Sequence, residues 1–131
     1  MRELRLETSR KTELVDITLQ VRDALQDERG SAAIVFVPHT TAGVMLQADS
    51  GLAVAQDVES ALGRIVDESW PWKHTEEEGD RNPWSHVRAA LTATSVTIPL
   101  RDGQLALGNL QTIYFCEFDG PRSRSVYVSV I

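Results

Sequence analysis

Three histidines are the residues of this sequence best suited to bind a metal ion or to move a proton. His39 follows an apolar stretch, His74 lies in a long polar segment, and His86 comes shortly after Asn82-Pro83. A strand end, a loop and a helix start can converge on one pocket, and three imidazoles with an open position suit a catalytic divalent metal such as zinc. No short ligand spacing joins the three. Each could instead be an ordinary surface or hydrogen-bonded side chain.

Glu117 is the second residue whose position could carry chemistry. Strand alternation places it on the same side as Ile113 and Phe115. A carboxylate on an apolar face is costly unless it is paired, hydrogen-bonded or bound to a metal. Glu117 is therefore a candidate acid–base group or fourth metal ligand, unless the strand ends at Cys116 and the carboxylate is solvated. Cys116 lies on the other side of the strand and is predicted to be packed rather than reactive.

The elements that position these residues follow from the spacing of apolar side chains. The continuous apolar run 32–37 predicts a strand covered on both faces. Three- and four-residue spacing predicts a helix over 50–66, and Asn82-Pro83 reads as the start of a helix that ends near 91. Other predicted elements are a short helix at 22–28 and strands at 4–8, 15–21, 43–46, 95–100, 104–107, 112–118 and 125–131. Grouped strands with three helices indicate an α+β fold.

Length and charge limit the class of protein. The 131 residues form one predicted domain, 1–131, with 13 Lys and Arg against 19 Asp and Glu and a net charge of −6. This balance argues against a nucleic-acid partner, which needs a basic surface. The longest apolar run is too short for a membrane span, and no secretory signal is apparent, so a cytoplasmic protein is expected. One cysteine excludes an internal disulfide and a multi-cysteine zinc site.

The common short motifs of metal and nucleotide chemistry are absent. There is no H-E-x-x-H, which excludes a zincin protease, and neither G-x-G-x-x-G nor a P-loop occurs. His74-Thr75-Glu76 matches half of the zinc deaminase signature, but the other half requires two cysteines.

Several segments in order along the chain resemble a known family. They are Pro38–Gly43, Trp72–His74, Asn82–His86, Asp102–Gly108, and Gln111 with Tyr114–Arg122. Together they are similar to the motifs of the YjbQ-like family of secondary thiamine-phosphate synthase enzymes. The chain departs from the family pattern at Gly108–Gln111, where an aromatic residue is replaced, and at Gln47–Ser50. Both departures are expected to change which ligand the site binds rather than how the chain folds.

The resemblance implies a fold and an assembly. The fold is an α+β single domain with a mixed β-sheet curled around central helices, and the assembly is a homotrimer. It also implies one site lined by His39, His74, His86 and Glu117, in which the three histidines are metal ligands and Glu117 and His86 are catalytic. The neighbouring groups implied to orient the substrate are Thr40, Thr41, Asn82 and Gln111.

The activity implied by the resemblance joins an aminopyrimidine diphosphate to a thiazole phosphate and releases pyrophosphate. The partner would be a small phosphorylated substrate, and the cofactor a divalent metal ion. Histidine ligands favour zinc, whereas diphosphate chemistry usually employs magnesium with oxygen ligands. Two alternatives stay open on the sequence. One is a metal-dependent hydrolase in which Glu117 handles a proton, and the other is a non-enzymatic trimeric protein that binds a ligand or metal.

Overall fold

The computed structural model describes residues 1–49, 51–73 and 82–131, and within them it forms an α+β domain. No helix in these ranges is long and apolar enough to cross a membrane. In chain order the elements are β1 (Arg2–Glu7), β2 (Glu13–Asp16), α1 (Thr18–Ala24), β3 (Ala32–Phe36), β4 (Ala42–Ala48), α2 (Ala53–Ile65), α3 (Pro83–Ala90), β5 (Ser95–Arg101), β6 (Gln104–Leu105), β7 (Gln111–Glu117) and β8 (Ser123–Val130).

The strands form two antiparallel sheets. The larger sheet has the order β1-β8-β3-β5-β6, and the smaller sheet has the order β2-β7-β4. β8 therefore lies between β1 and β3 in one sheet, and β7 lies at the centre of the other. These two interior strands carry the residues that define the site described below.

Alternation along β7 divides the core into two layers. Phe115 packs with Val126 of β8 in the layer between the two sheets, to which α1 also contributes. Cys116 packs with Ala55 of α2 and Ala89 of α3 on the opposite face. The order of layers is thus larger sheet, smaller sheet, then α2 and α3. The prediction that Cys116 is packed is confirmed, and burial raises the pKa of its thiol to about 12.

The strand predicted over 15–21 is wrong beyond Asp16, because α1 begins at Thr18. The buried residues Ile17, Val21 and Ala24 are separated by four and three positions, which is the spacing of one face of a helix. Over only a few residues, the same apolar positions also fit the alternating pattern of a strand. The Asp16 carboxylate accepts a hydrogen bond from the Thr18 backbone N–H at 2.9 Å, which favours a turn at this point. The predicted helices at 50–66 and from Pro83 to about 91 are confirmed as α2 and α3.

The prediction that the strand at 32–37 is covered on both faces is also wrong. Ala33 and Val35 are fully buried, but Phe36 is 40% exposed. The Phe36 ring stacks on Tyr127 of β8 with a centroid distance of 6.3 Å. Because α2 and α3 pack on the smaller sheet, side chains on the outer face of the larger sheet pack against neighbours on adjacent strands, as Phe36 and Tyr127 do.

Candidate functional site

A buried ion pair joins the two sheets at one end of the domain. Glu117 is the last residue of β7, and Arg124 lies near the start of β8 in the other sheet. Glu117 is 0% exposed and Arg124 is 6% exposed. The Arg124 Nε donates to Glu117 Oε1 at 2.8 Å, and Arg124 Nη2 donates to Glu117 Oε2. This two-pronged contact fixes the spacing between the sheets at the site.

Further donors occupy both oxygens of the Glu117 carboxylate. The Thr8 hydroxyl donates to Oε1 at 2.7 Å, and the backbone N–H groups of Phe118 and Asp119 each donate to Oε2 at 3.1 Å. Burial alone raises the pKa of Glu117, but hydrogen bonds from Arg124, Thr8 and Asp119 outweigh it and hold the pKa below its usual range. Glu117 is therefore an ionised, fully engaged group, which suits positioning better than proton transfer.

Acid should remove the stabilisation that Glu117 supplies. Because its pKa is lower in the folded protein than the unfolded value of about 4.3, its contribution is present above the unfolded pKa and is lost as pH falls through the folded pKa. We expect the difference in melting temperature between wild type and Glu117→Gln to be constant near neutral pH and to shrink in acid. Thermal unfolding followed by circular dichroism across this range measures it. A difference that does not change with pH would contradict the assignment.

Thr41 belongs to the same cluster. Its hydroxyl accepts a hydrogen bond from Arg124 Nη2 at 2.9 Å, and its backbone carbonyl accepts one from the Phe118 N–H at 3.1 Å. Thr41 is 8% exposed, whereas the preceding Thr40 is exposed. Thr41 thus holds Arg124 in place, and Thr40 is the threonine that can reach a ligand.

His39 is fixed by the backbone of β8 where β3 ends. The register between these strands runs as far as Phe36 opposite Tyr127, and its continuation places Pro38 opposite Ser125. The His39 Nε2 takes the acceptor role at this point and receives a hydrogen bond from the Ser125 N–H at 3.0 Å. An acceptor nitrogen carries no proton, so this contact assigns the proton of the neutral imidazole to Nδ1.

The surroundings of His39 favour the neutral ring and an anionic neighbour. Burial and the positive charge of Arg124 lower the pKa of His39, and Arg122 acts in the same direction. Glu117 opposes this shift, but its effect is smaller than that of Arg124. Arg124 and Arg122 therefore place positive charge near His39, and Glu117 offsets part of it. A neutral N–H donor in a positive field is suited to contact a phosphate or a similar anion.

The role of His39 as a metal ligand stays a prediction, and its hydrogen bond with Ser125 bears on which nitrogen could bind a metal. Its Nε2 lone pair is already used by Ser125, and Nδ1 could offer a lone pair only if the proton moved to Nε2. Within 1–49, 51–73 and 82–131, no group of three or more His, Cys, Asp and Glu residues could hold a metal ion. His74 lies outside the described residues. The divalent metal and the homotrimer stay predictions.

The remaining predicted site residues lie elsewhere in the fold. Gln111 is at the other end of β7, six residues or about 20 Å from Glu117, and its side-chain oxygen accepts a hydrogen bond from the Gly108 N–H at 2.8 Å. Asn82 precedes α3, where its carbonyl accepts a hydrogen bond from the Ser85 N–H at 3.0 Å. His86 lies on α3, which packs on the face of the smaller sheet opposite the Glu117 side chain. The structure thus joins His39, Thr41 and Glu117.

Sequence reasoning missed Arg124, Thr8 and Ser125. Strand alternation could have predicted the burial of Arg124, because it places Arg124 on the same face of β8 as the buried Val126 and Val128. A buried cation on one strand is the natural partner for the predicted buried carboxylate on another. The contact of Ser125 with His39 had no such signal, since it uses a backbone N–H.

Together these features define an α+β protein in which a buried ion pair holds two antiparallel sheets beside a neutral histidine. The chain belongs to the YjbQ-like UPF0047 family, whose model matches residues 2–131.

Relatives of known sequence and structure cover nearly the whole chain. YugU of Bacillus subtilis is 34% identical over 100% of this chain and 98% of its own length. A UPF0047 protein of Methanocaldococcus jannaschii is 35% identical over 96% of this chain and 90% of its own length. A crystal structure of a Clostridium acetobutylicum member is 36% identical, covers 100% of both chains and superposes with a TM-score of 0.92.

Proposed function

We propose that the protein is a transferase of the thiamine-phosphate synthase type, which joins an aminopyrimidine diphosphate to a thiazole phosphate. The observation that carries the proposal is the neutral His39, whose Nδ1 is available as a donor in the positive field of Arg124 and Arg122. Pyrophosphate is the leaving group of this reaction, and a donor in a positive field stabilises the negative charge that develops on it. The family resemblance supplies the identity of the two substrates.

The proposed reaction breaks one bond, forms one bond and requires no general base. The bond between the pyrimidine methylene carbon and the diphosphate oxygen breaks, and its electron pair leaves with pyrophosphate. The lone pair of the thiazole nitrogen forms the new carbon–nitrogen bond. No proton has to be removed, so the reaction needs no general base. A Glu117 whose oxygens are both engaged by hydrogen bonds is compatible with this step.

Each residue of the cluster has a task in this proposal. The His39 Nδ1–H and the exposed Thr40 hydroxyl contact the diphosphate. Glu117 and Thr41 hold the Arg124 guanidinium, which sets the field at the imidazole. Arg122 is exposed and bound to Asp119 at 2.7 Å, and it adds to that field. The predicted metal enters none of these steps.

The test is an assay with both substrates, in which thiamine phosphate is oxidised to its fluorescent thiochrome derivative and pyrophosphate is counted separately. We expect the two products in equal amounts, and none when the thiazole phosphate is omitted. Pyrophosphate released without the thiazole would support the hydrolase alternative and contradict the proposal. Binding of either substrate with no product above the enzyme-free rate would support the binding-protein alternative.

A further inference from the structure

The Arg122 side chain belongs to a ring of hydrogen bonds that begins and ends at the Glu117 carboxylate. On one side, the Thr8 hydroxyl donates to Glu117 Oε1 at 2.7 Å and accepts from the Arg122 backbone N–H at 2.9 Å. On the other side, the Asp119 N–H donates to Glu117 Oε2 at 3.1 Å. The Arg122 Nε donates to the Asp119 carbonyl at 2.8 Å, which closes the ring.

Thr8 fixes the backbone of Arg122 at two points. Besides the hydroxyl contact, the Thr8 backbone N–H donates to the Arg122 carbonyl at 2.9 Å. The hydroxyl also lies 3.2 Å from that carbonyl, but the carboxylate of Glu117 is the nearer acceptor and carries a charge. Its single proton therefore goes to Glu117, and a lone pair remains for the Arg122 N–H. Because Thr8 is 6% exposed, water competes poorly for these hydrogen bonds.

The Arg122 guanidinium is held in place and is still 53% exposed. Its Nη2 donates to Asp119 Oδ2 at 2.7 Å, so Asp119 binds the edge formed by Nε and Nη2. A guanidinium has five N–H donors, and the edge formed by Nη1 and Nη2 faces no acceptor among the described residues. An arginine fixed in this way loses little conformational entropy when it binds a phosphate group.

Arg122 lies beside His39. It comes three residues before Ser125, whose backbone N–H donates to His39 Nε2 at 3.0 Å. Its positive charge also lowers the pKa of His39, so the two side chains are close neighbours. An anion at His39 therefore has the free edge of Arg122 as a neighbouring donor.

We propose that Thr8 is a positioning residue, which holds the Arg122 guanidinium so that its free edge contacts an anion bound at His39. Asp119 orients the side chain, and Thr8 fixes the backbone from which that side chain extends. Because Asp119 offsets the charge of Arg122, directed hydrogen bonds are the main contribution of Arg122 to binding. The identification of the anion as the diphosphate of the substrate rests on the proposed function.

Calorimetric titration with inorganic pyrophosphate tests this inference without requiring turnover. We expect Arg122→Gln to weaken pyrophosphate binding roughly tenfold, the effect of losing hydrogen bonds to a charged group. Arg101→Gln is the matched control, since it removes the same charge from an exposed residue. Arg101 lies six residues or about 20 Å along β5 from Ser95, which pairs with Phe36 at the end near His39.

Two substitutions of Thr8 separate the hydroxyl from the shape of the side chain. We expect Thr8→Val, which removes the hydroxyl, to weaken pyrophosphate binding about threefold to tenfold, and Thr8→Ser to restore it. If Thr8 acts through Arg122, the double variant Thr8→Val with Arg122→Gln binds no more weakly than Arg122→Gln alone. Circular dichroism checks folding, and the exposed change Arg122→Gln tests the anion contact even if Thr8→Val does not fold.

Three results would overturn the inference: no pyrophosphate binding to the wild-type protein at millimolar concentration, equal binding to wild type and Arg122→Gln, or additive losses in the double variant. The synthase proposal fails separately. If pyrophosphate binding depends on Thr8 and Arg122 but no thiamine phosphate forms, the positioning role stands and the synthase proposal falls. If thiamine phosphate forms while Arg122→Gln binds pyrophosphate as wild type does, the synthase proposal stands and the positioning role falls.

Discussion

Glu117→Gln is expected to lower the free energy of unfolding by about 3–5 kcal/mol, the usual cost of removing one partner of a buried ion pair. The amide leaves the Arg124 guanidinium without a compensating charge in a site that is 6% exposed. It also turns an acceptor for five hydrogen bonds into a group that is half donor. Urea unfolding at neutral pH measures the change.

Two further variants make this result specific. Arg122→Gln breaks the neighbouring exposed pair with Asp119, which we expect to cost no more than about 1 kcal/mol. The double variant Glu117→Leu with Arg124→Met replaces the buried pair by apolar side chains and should recover much of the lost stability. Equal losses for Glu117→Gln and Arg122→Gln would show that the pair does not hold the sheets together.

His39→Ala is expected to reduce the rate of thiamine-phosphate formation by roughly 100- to 1,000-fold, the range seen when one charge-stabilising donor is removed. The variant should remain folded, because His39 is only half-buried and its contact with Ser125 is worth about 1 kcal/mol. The measurement is the thiochrome assay under saturating substrates, with the circular dichroism spectrum as the check on folding.

His39→Gln is the informative companion variant. Its side-chain oxygen can accept the Ser125 N–H, and its amide N–H can still donate to a ligand. We expect its rate to lie between those of wild type and His39→Ala. A folded His39→Ala protein with the wild-type rate would remove His39 from the proposed site.

Much of the fold was predictable because its strongest signals are local. The apolar spacing of α2 and the Asn82-Pro83 start of α3 are encoded within single elements, and both were predicted. The structure of residues 15–21 was predicted wrongly. Over so few residues, the alternating pattern of a strand and the three- and four-residue spacing of a helix coincide. Burial of Val21 in the core layer between the sheets decides for the helix there, and this is a tertiary effect.

The site was predictable only in part for the same reason. The apolar face of β7 correctly marked Glu117 as a buried carboxylate in need of a partner. The partner, Arg124, lies seven residues further along the chain but in the other sheet, so the pairing depends on how the sheets stack. His39 was singled out as a metal ligand, yet its Nε2 is bound to a backbone N–H that no residue pattern could reveal.

The proposed site depends most directly on the protonation state of His39, which heteronuclear NMR of its imidazole nitrogens reports. The structure requires a neutral ring at neutral pH with the proton on Nδ1 and an unprotonated Nε2. Assignment of the signals follows from their loss in His39→Ala. Resonances of an Nδ1-protonated neutral ring would support the donor role toward a leaving pyrophosphate. A proton on Nε2, or a charged ring at neutral pH, would contradict it.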